Sequence, residues 1–205
     1  MPERANLPAP VHPADLVIMS SHDDLFHSFA PGVPGAPAIV NALAVARDGG
    51  HSVARSLPIY AIETLESVIH KTHPDANAMY RFTVDGVSVA HMGDVGNPLT
   101  LEQLEFLAGV DVLLALTGGP PTIELADLDT VLAKIQPRVV IPMHYRIPGL
   151  NLKILGIDAL LARHPAEIVD VRSDCALTLS PDTLPEKMRI VVLQALATAG
   201  SPTQP

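Results

Sequence analysis

One cysteine occurs in 205 residues, Cys175, so no internal disulfide can form, and it reads as a small side chain of the core. Positive charge is also scarce: 13 Lys and Arg stand against 22 Asp and Glu, a net charge of −9. With no basic tract interleaved with aromatics, a phosphate-backbone partner such as nucleic acid is disfavoured. Apolar runs are short. The longest candidate, "VDVLLALT", is stopped by Gly118, Gly119, Pro120 and Pro121, well below the ~18 residues that cross a bilayer. The opening "MPERANLPAPVHP" has no apolar h-region, which leaves a cytoplasmic protein as the expectation. What the chain does have is apolar bulk: 48% hydrophobic residues fill one sizeable core. A single domain over residues 14–193 is expected, with tails at 1–13 and 194–205.

Short β-rich runs alternate with a few helices, without linker or repeat. "DLVIMS" (15–20), "APAIVN" and "LPIYAIE" read as strands. "MYRFTVDGVSVAH" (79–91) alternates around Asp85-Gly86, a hairpin signal. Thr100 precedes "LEQLEFLAG", a capped helix leading into "VDVLLALT". "TIELADLDTVLAKI" is a second helix stopped by Pro137, and "RVVIPMHY" a strand broken by Pro142. "IDALLARH" is a third helix, and "EIVDV", "ALTLS" and "RIVVL" are late strands.

Placed on this map, the histidines and aspartates gather at strand ends. The first strand runs into "SSHDDLFHSF", with His22, Asp24 and His27; the strand after the hairpin ends at Gly93-Asp94; the "RVVIP" strand ends at His144. A loop, "SVIHKTHPDAN", adds His70 and His73. Imidazole nitrogen and carboxylate oxygen are the ligands of a divalent metal such as Zn²⁺, and rigid strand ends are a means of bringing distant ligands together. Taken alone, the first cluster also reads as a polar loop with Asp24 capping a short helix, and Gly93-Asp94 as a turn. His91, flanked by apolar residues, reads as a core histidine. "TGGPP" at 117–121 is either a turn or a lip of a groove.

The ordered segments "ADLVIMSSHDDLFH", "NAMYRFTVDGVSVAHMGDVG", "LTLEQLEFLAGVDVLLALTGG" and "PRVVIPMHY" resemble the metallo-β-lactamase-fold hydrolases, in the branch of ascorbate-6-phosphate lactonase-like and UPF0173-like proteins. The resemblance implies an αββα sandwich with metal ligands along one edge of two sheets, here lacking some N-terminal strands. It implies one metal held by His22, Asp24 and His70, and a second by His27, a bridging Asp94 and His144. His70 is preferred to His73 because its distance to "NAMYRF" fits the family better. The family motif His-x-His-x-Asp-His reads here His22-Asp23-Asp24-Leu25-Phe26-His27: Asp24 replaces a histidine and Phe26 replaces an aspartate that binds metal and orients the attacking water.

Three functions follow from this pattern. The first is hydrolysis of a small ester, lactone or phosphorylated metabolite by water activated on one or two divalent ions, zinc by preference, with manganese or iron as alternatives, and Asp24 as ligand or proton acceptor. The second is a degenerate, non-catalytic relative holding one metal or none, favoured by Phe26 and Asp24. A nuclease, the third, is disfavoured by the acidic balance. A shortened first sheet would expose an edge at "DLVIMS", so a homodimer, or a tail folded back as cover, is expected.

Overall fold

The computed structural model describes residues 9–21 and 30–195. The chain runs β1 (Leu16–Met19), β2 (Ala38–Asn41), α1 (Ala42–Arg47), β3 (His51–Ala54), β4 (Leu57–Leu65), β5 (Ala76–Val84), β6 (Val87–His91), α2 (Leu101–Leu107), β7 (Val112–Leu116), α3 (Leu125–Ile135), β8 (Val139–Met143), α4 (Ile157–Leu161), β9 (Val169–Val171) and β10 (Arg189–Val192). Eight strands form one mixed sheet in the order β3-β4-β5-β6-β7-β8-β10-β9, and β1 and β2 pair in parallel as a second sheet. Strands β3 to β6 are antiparallel neighbours; from β6 through β7, β8, β10 and β9 every pairing is parallel.

Local chemistry accounts for these elements. Asp85 (φ 48°) and Gly86 (φ 80°) both occupy the left-handed region, as the tight turn of a two-residue hairpin requires. The Thr100 hydroxyl accepts from the Gln103 N–H at 3.2 Å and the Gln103 amide oxygen accepts from the Thr100 N–H at 3.0 Å, a capping box that starts α2. In α3, Leu125, Leu128, Val131, Leu132 and Ile135 make one buried stripe at helical spacing, and Gln136 ends the helix in the left-handed conformation ahead of Pro137.

Both faces of the large sheet are covered. On one, Met79, Ala90, Leu113, Ala115, Val140 and Ile190 pack against α2, α3 and α4 through residues such as Leu107, Leu128, Leu132 and Leu160. On the other, Ile59, Ala61, Ala78 and Tyr80 meet Ala42 and Leu43 of α1 together with Leu16, Ile18 and Val40 of the small sheet. Farther along that face, Val87, Val112, Val139 and Val191 are covered by Leu177, Leu179 and Leu184. The layers follow the expected sandwich, with helices on one face of the large sheet and the small sheet on the other. Among the described residues the second sheet has two strands, and α1 packs beside it onto the same face.

Several local expectations change. "ALTLS" forms no strand; its leucines cover the sheet instead. Pro142 does not break β8, since Ala115 pairs with Pro142 and Leu116 with Met143. The Met143 carbonyl accepts from the Thr117 N–H on the β7 side, so Pro142 faces the opposite side, where pairing with β10 has already ended at Val140. Cys175 is exposed, not a core residue. Helix α1 and strand β3 were not expected. The helix is six residues long and follows β2 without a break, its start marked only by Asn41, whose side chain accepts from the Ala44 N–H.

Candidate metal centre

Parallel strands release their C-terminal residues at one edge, and that is where β6, β7 and β8 deliver Gly93-Asp94, Thr117-Gly118 and His144. Antiparallel β5 begins at the same edge with Asn77, and β4 ends there, because Leu65 pairs with Ala76. The loop between them carries His70.

Asp94 and His144 face each other, with His144 Nε2 3.9 Å from Asp94 Oδ1. Asp94 is buried, and its N–H donates to Asn77 Oδ1 at 2.9 Å. Asn77 is fully buried, and its amide nitrogen also donates to the Ser20 hydroxyl at 3.4 Å. Asn41 donates to the Ser21 carbonyl at 3.0 Å. The residues that lead into the first motif are thus tied through Asn77 to the backbone of Asp94. His144 has φ +53°, a conformation rare outside glycine, and the backbone is held there by two bonds from Thr117 to the Met143 carbonyl, at 3.0 Å from N–H and 3.1 Å from the hydroxyl. Two glycines let these loops meet. A Cβ on Gly118 would lie 2.1 Å from the His144 carbonyl oxygen, and one on Gly93 would lie 2.2 Å from Asn77 Oδ1.

His70 does not join the pair as a third donor: its Nε2 meets Glu124 Oε1 at 3.1 Å, beside the start of α3, and its N–H donates to Ser67 Oγ at 2.9 Å. Among the described residues no three His, Cys, Asp or Glu side chains gather around one point. His22, Asp24, Phe26 and His27 lie outside the described residues. His73 is exposed. His91 accepts from the Gly93 N–H through Nδ1 at 2.9 Å and stacks on Tyr80, ring centroids 5.0 Å apart and 6° from parallel. Burial pulls its pKa down to about 4 against a smaller opposing pull from Asp94, so it is a neutral structural ring at pH 7. "TGGPP" is a wall of this site, joined to the His144 loop by the Leu155 N–H to Gly118 carbonyl bond at 2.8 Å.

Sequence reasoning passed over Asn77, Glu124 and Glu66. Glu66 is 1% exposed and ion-paired with Lys71 at the end of β4. Asn77 left the clearest signal: a polar residue of low strand propensity inside the run "ANAMYRF".

The donors present suit a divalent cation. One carboxylate and one imidazole 3.9 Å apart are within reach of two bonds of about 2.0–2.2 Å to a common ion. They make part of a site; the other candidate donors of the first motif, His22, Asp24 and His27, lie outside the described residues.

Comparison with known proteins defines the class. A family model described as β-lactamase superfamily domain matches residues 2–144, and the chain belongs to that family. Its relatives include a UPF0173 protein of Pyrococcus furiosus, 32% identical over 74 residues, which are 36% of this chain and 34% of that one. Another is a UPF0173 metal-dependent hydrolase of Carboxydothermus hydrogenoformans, 33% identical over 66 residues, 32% of this chain and 29% of that one. The matched segments thus span about a third of these relatives' length. A Thermotoga maritima structure, described as a candidate zinc-dependent hydrolase of the metallo-β-lactamase superfamily, superposes with a TM-score of 0.68 at 26% identity, covering 88% of this chain and 81% of that one. One from Parabacteroides distasonis gives a TM-score of 0.56 at 17% identity over 90% and 79%, which speaks to fold alone.

Proposed function

We propose that the chain is a metal-dependent hydrolase of a small ester, lactone or phosphorylated metabolite. The observation that carries this reading is the Asp94–His144 pair at adjacent parallel strand ends, tied through Asn77 to the start of the first motif. Asp94 and His144 would hold the metal, zinc by preference, with His22, His27 and Asp24 completing the site and His70 joining if it leaves Glu124. Such an ion, when bound, brings the pKa of a bound water toward ~7 and polarises the carbonyl or phosphoryl group under attack. The protein's own part is positional. Asn77 fixes the turn that aims Asp94, Thr117 and Gly118 hold the backbone of His144, and Asp24 takes the proton released in the attack. A cytoplasmic homodimer belongs to the same reading: both strands of the two-stranded sheet have an open edge among the described residues, and Ile39 on β2 is 54% exposed.

Phe26, where the family carries a carboxylate, favours a second reading in which the protein holds one ion or none and catalyses nothing. Elemental analysis of protein purified without added metal, run beside hydrolysis of chromogenic esters and lactones, separates the two. The hydrolase reading expects one or two ions per chain, loss of most metal in Asp94→Ala and in His144→Ala with the fold intact, and higher content or turnover in Phe26→Asp. Metal-free wild-type protein that stays folded and inert would establish the second reading.

A further inference from the structure

Beside His144 lies a pocket of about 240 Å³ whose other walls are Tyr145, Ile147, Leu150, Leu152, Ile154 and Ala195. We propose that it binds an apolar arm of the substrate, a short acyl or alkyl group, next to the reacting bond. This inference rests on the hydrolase reading of the site, and it narrows the substrate to one that carries such a group.

Three features point to that occupant. The first is composition: five aliphatic side chains and the body of Tyr145 surround the space, and no Lys, Arg, Asp or Glu is among the lining residues. The charged residues of the same loop face elsewhere. Arg146 is exposed, with its guanidinium near Gly156, and Lys153 is exposed between the more buried Leu152 and Ile154. A phosphate placed there would lose its hydration with no cation to replace it, whereas a hydrocarbon group gains by leaving water. The second is size. At about 240 Å³ the pocket falls below the ~300–1,000 Å³ of sites that enclose a whole ligand, which suits one arm of a molecule whose remainder reaches out to the Asp94–His144 edge. The third is preorganisation. The Arg146 N–H donates to the Leu155 carbonyl at 2.8 Å, the Leu155 N–H to Gly118, and the Leu150 N–H to the Ile147 carbonyl at 3.1 Å, so the loop is braced on the turn after β7. A cavity held open in this way binds without first ordering its walls. The loop also lies beyond residue 144, where the family match ends. Three larger grooves are lined by other described residues and include neither Asp94 nor His144.

The test pairs turnover with a readout that needs no catalysis. Wild type and Leu152→Asp, both as full chains loaded with zinc, are assayed on 4-nitrophenyl acetate, butyrate and hexanoate. In parallel, methyl resonances of Ile and Leu are followed by NMR as n-hexanoate or acetate is added, with and without zinc. The proposal expects kcat/KM to rise about fourfold per added methylene in wild type, the ~0.8 kcal/mol of a buried CH2, until the pocket is full. It also expects this dependence on chain length to flatten in Leu152→Asp, so that the hexanoate-to-acetate ratio of kcat/KM falls toward one whatever the absolute rates. Hexanoate, but not acetate, should shift the methyls of Ile147, Leu150, Leu152 and Ile154. Methyl shifts without hydrolysis of any ester would remove simple esters from the hydrolase reading and leave the pocket assignment standing. Hydrolysis that is indifferent to chain length, with those methyls unmoved, would overturn the pocket and leave the hydrolase. Unmoved methyls overturn it in any case, and Leu150→Asp gives a second variant should Leu152→Asp fail to fold.

Discussion

Asn77 offers the sharpest perturbation of the site, because it is fully buried and touches the candidate ligands only through hydrogen bonds. Replacing it with leucine keeps the branched shape with bulkier ends and removes the acceptor of the Asp94 N–H. A buried amide left without its partner costs about 1–3 kcal/mol. The Ser20 contact at 3.4 Å is near the limit of a hydrogen bond and adds little. The gain from a more apolar side chain offsets part of the loss, so Asn77→Leu should cost about 2 kcal/mol. For a chain of 205 residues that lowers Tm by ~4–8 °C. The turn that aims Asp94 should slacken too, weakening divalent-metal affinity by the ~10–100-fold typical of losing a group that orients a ligand. Differential scanning calorimetry on chelated protein and a competitive zinc titration measure the two effects. Ser20→Ala is the control: it removes the weak contact alone and should change Tm by ~1 °C or less. If Asn77→Leu melts within 1 °C of wild type and binds zinc equally well, Asn77 does not fix Asp94. If Ser20→Ala costs as much as Asn77→Leu, the stability lies in the strand contact and not in the Asp94 amide.

Gly118→Ala places a methyl against the His144 carbonyl and should cost about 1–3 kcal/mol, read as a lower Tm, with reduced metal retention; a variant as stable as wild type would mean that the two loops can part freely. His91 has a folded pKa of about 4 against 6.5 in the unfolded chain, so the unfolded state takes up the proton first as pH falls. Stability is therefore unaffected above pH 6.5 and is lost on acidification from 6.5 toward 4, by up to about 3 kcal/mol. His91→Asn, melted in chelator across that range, should show a flatter decline, and a slope equal to wild type would place the acid sensitivity elsewhere. Light scattering on the full chain should give a homodimer, and a monodisperse monomer at micromolar concentration would contradict it.

How much of this was legible depends on how far each signal reaches along the chain. The β5–β6 hairpin, the cap of α2 and the stripe of α3 are written within a few residues of themselves, and they appear where local chemistry puts them. Helix α1 was missed because "ALAVAR" is too short to show a period and its cap also closes a strand. "ALTLS" alternates like a strand, yet its leucines satisfy the sheet face without pairing, and periodicity cannot separate those two ways of burying an apolar face. In the site, Asp94 and His144 were visible as polar residues at strand ends, but the partnership of His70 with Glu124 was not. Those two are 54 positions apart, and only the folded arrangement of the β4–β5 loop against the start of α3 joins them.

That partnership bears on the number of metals. Held by Glu124, His70 makes no third donor for Asp94 and His144, and Glu124 is 47% exposed at its side chain, so the pair is wet and weak. An ion competing for the imidazole would need to overcome only a fraction of a kcal/mol of such an interaction. The buried partner of Asp94, Asn77, is in contrast held within β5 and has no comparable freedom. The two halves of the proposed site are therefore unequal before any metal arrives: Asp94 and His144 are positioned by the core, while His70 rides on a loop. Loading should accordingly begin at Asp94 and His144, with the His70 side filled at higher metal concentration, if at all. On this reading the order of filling would follow how deeply each donor's neighbours are buried.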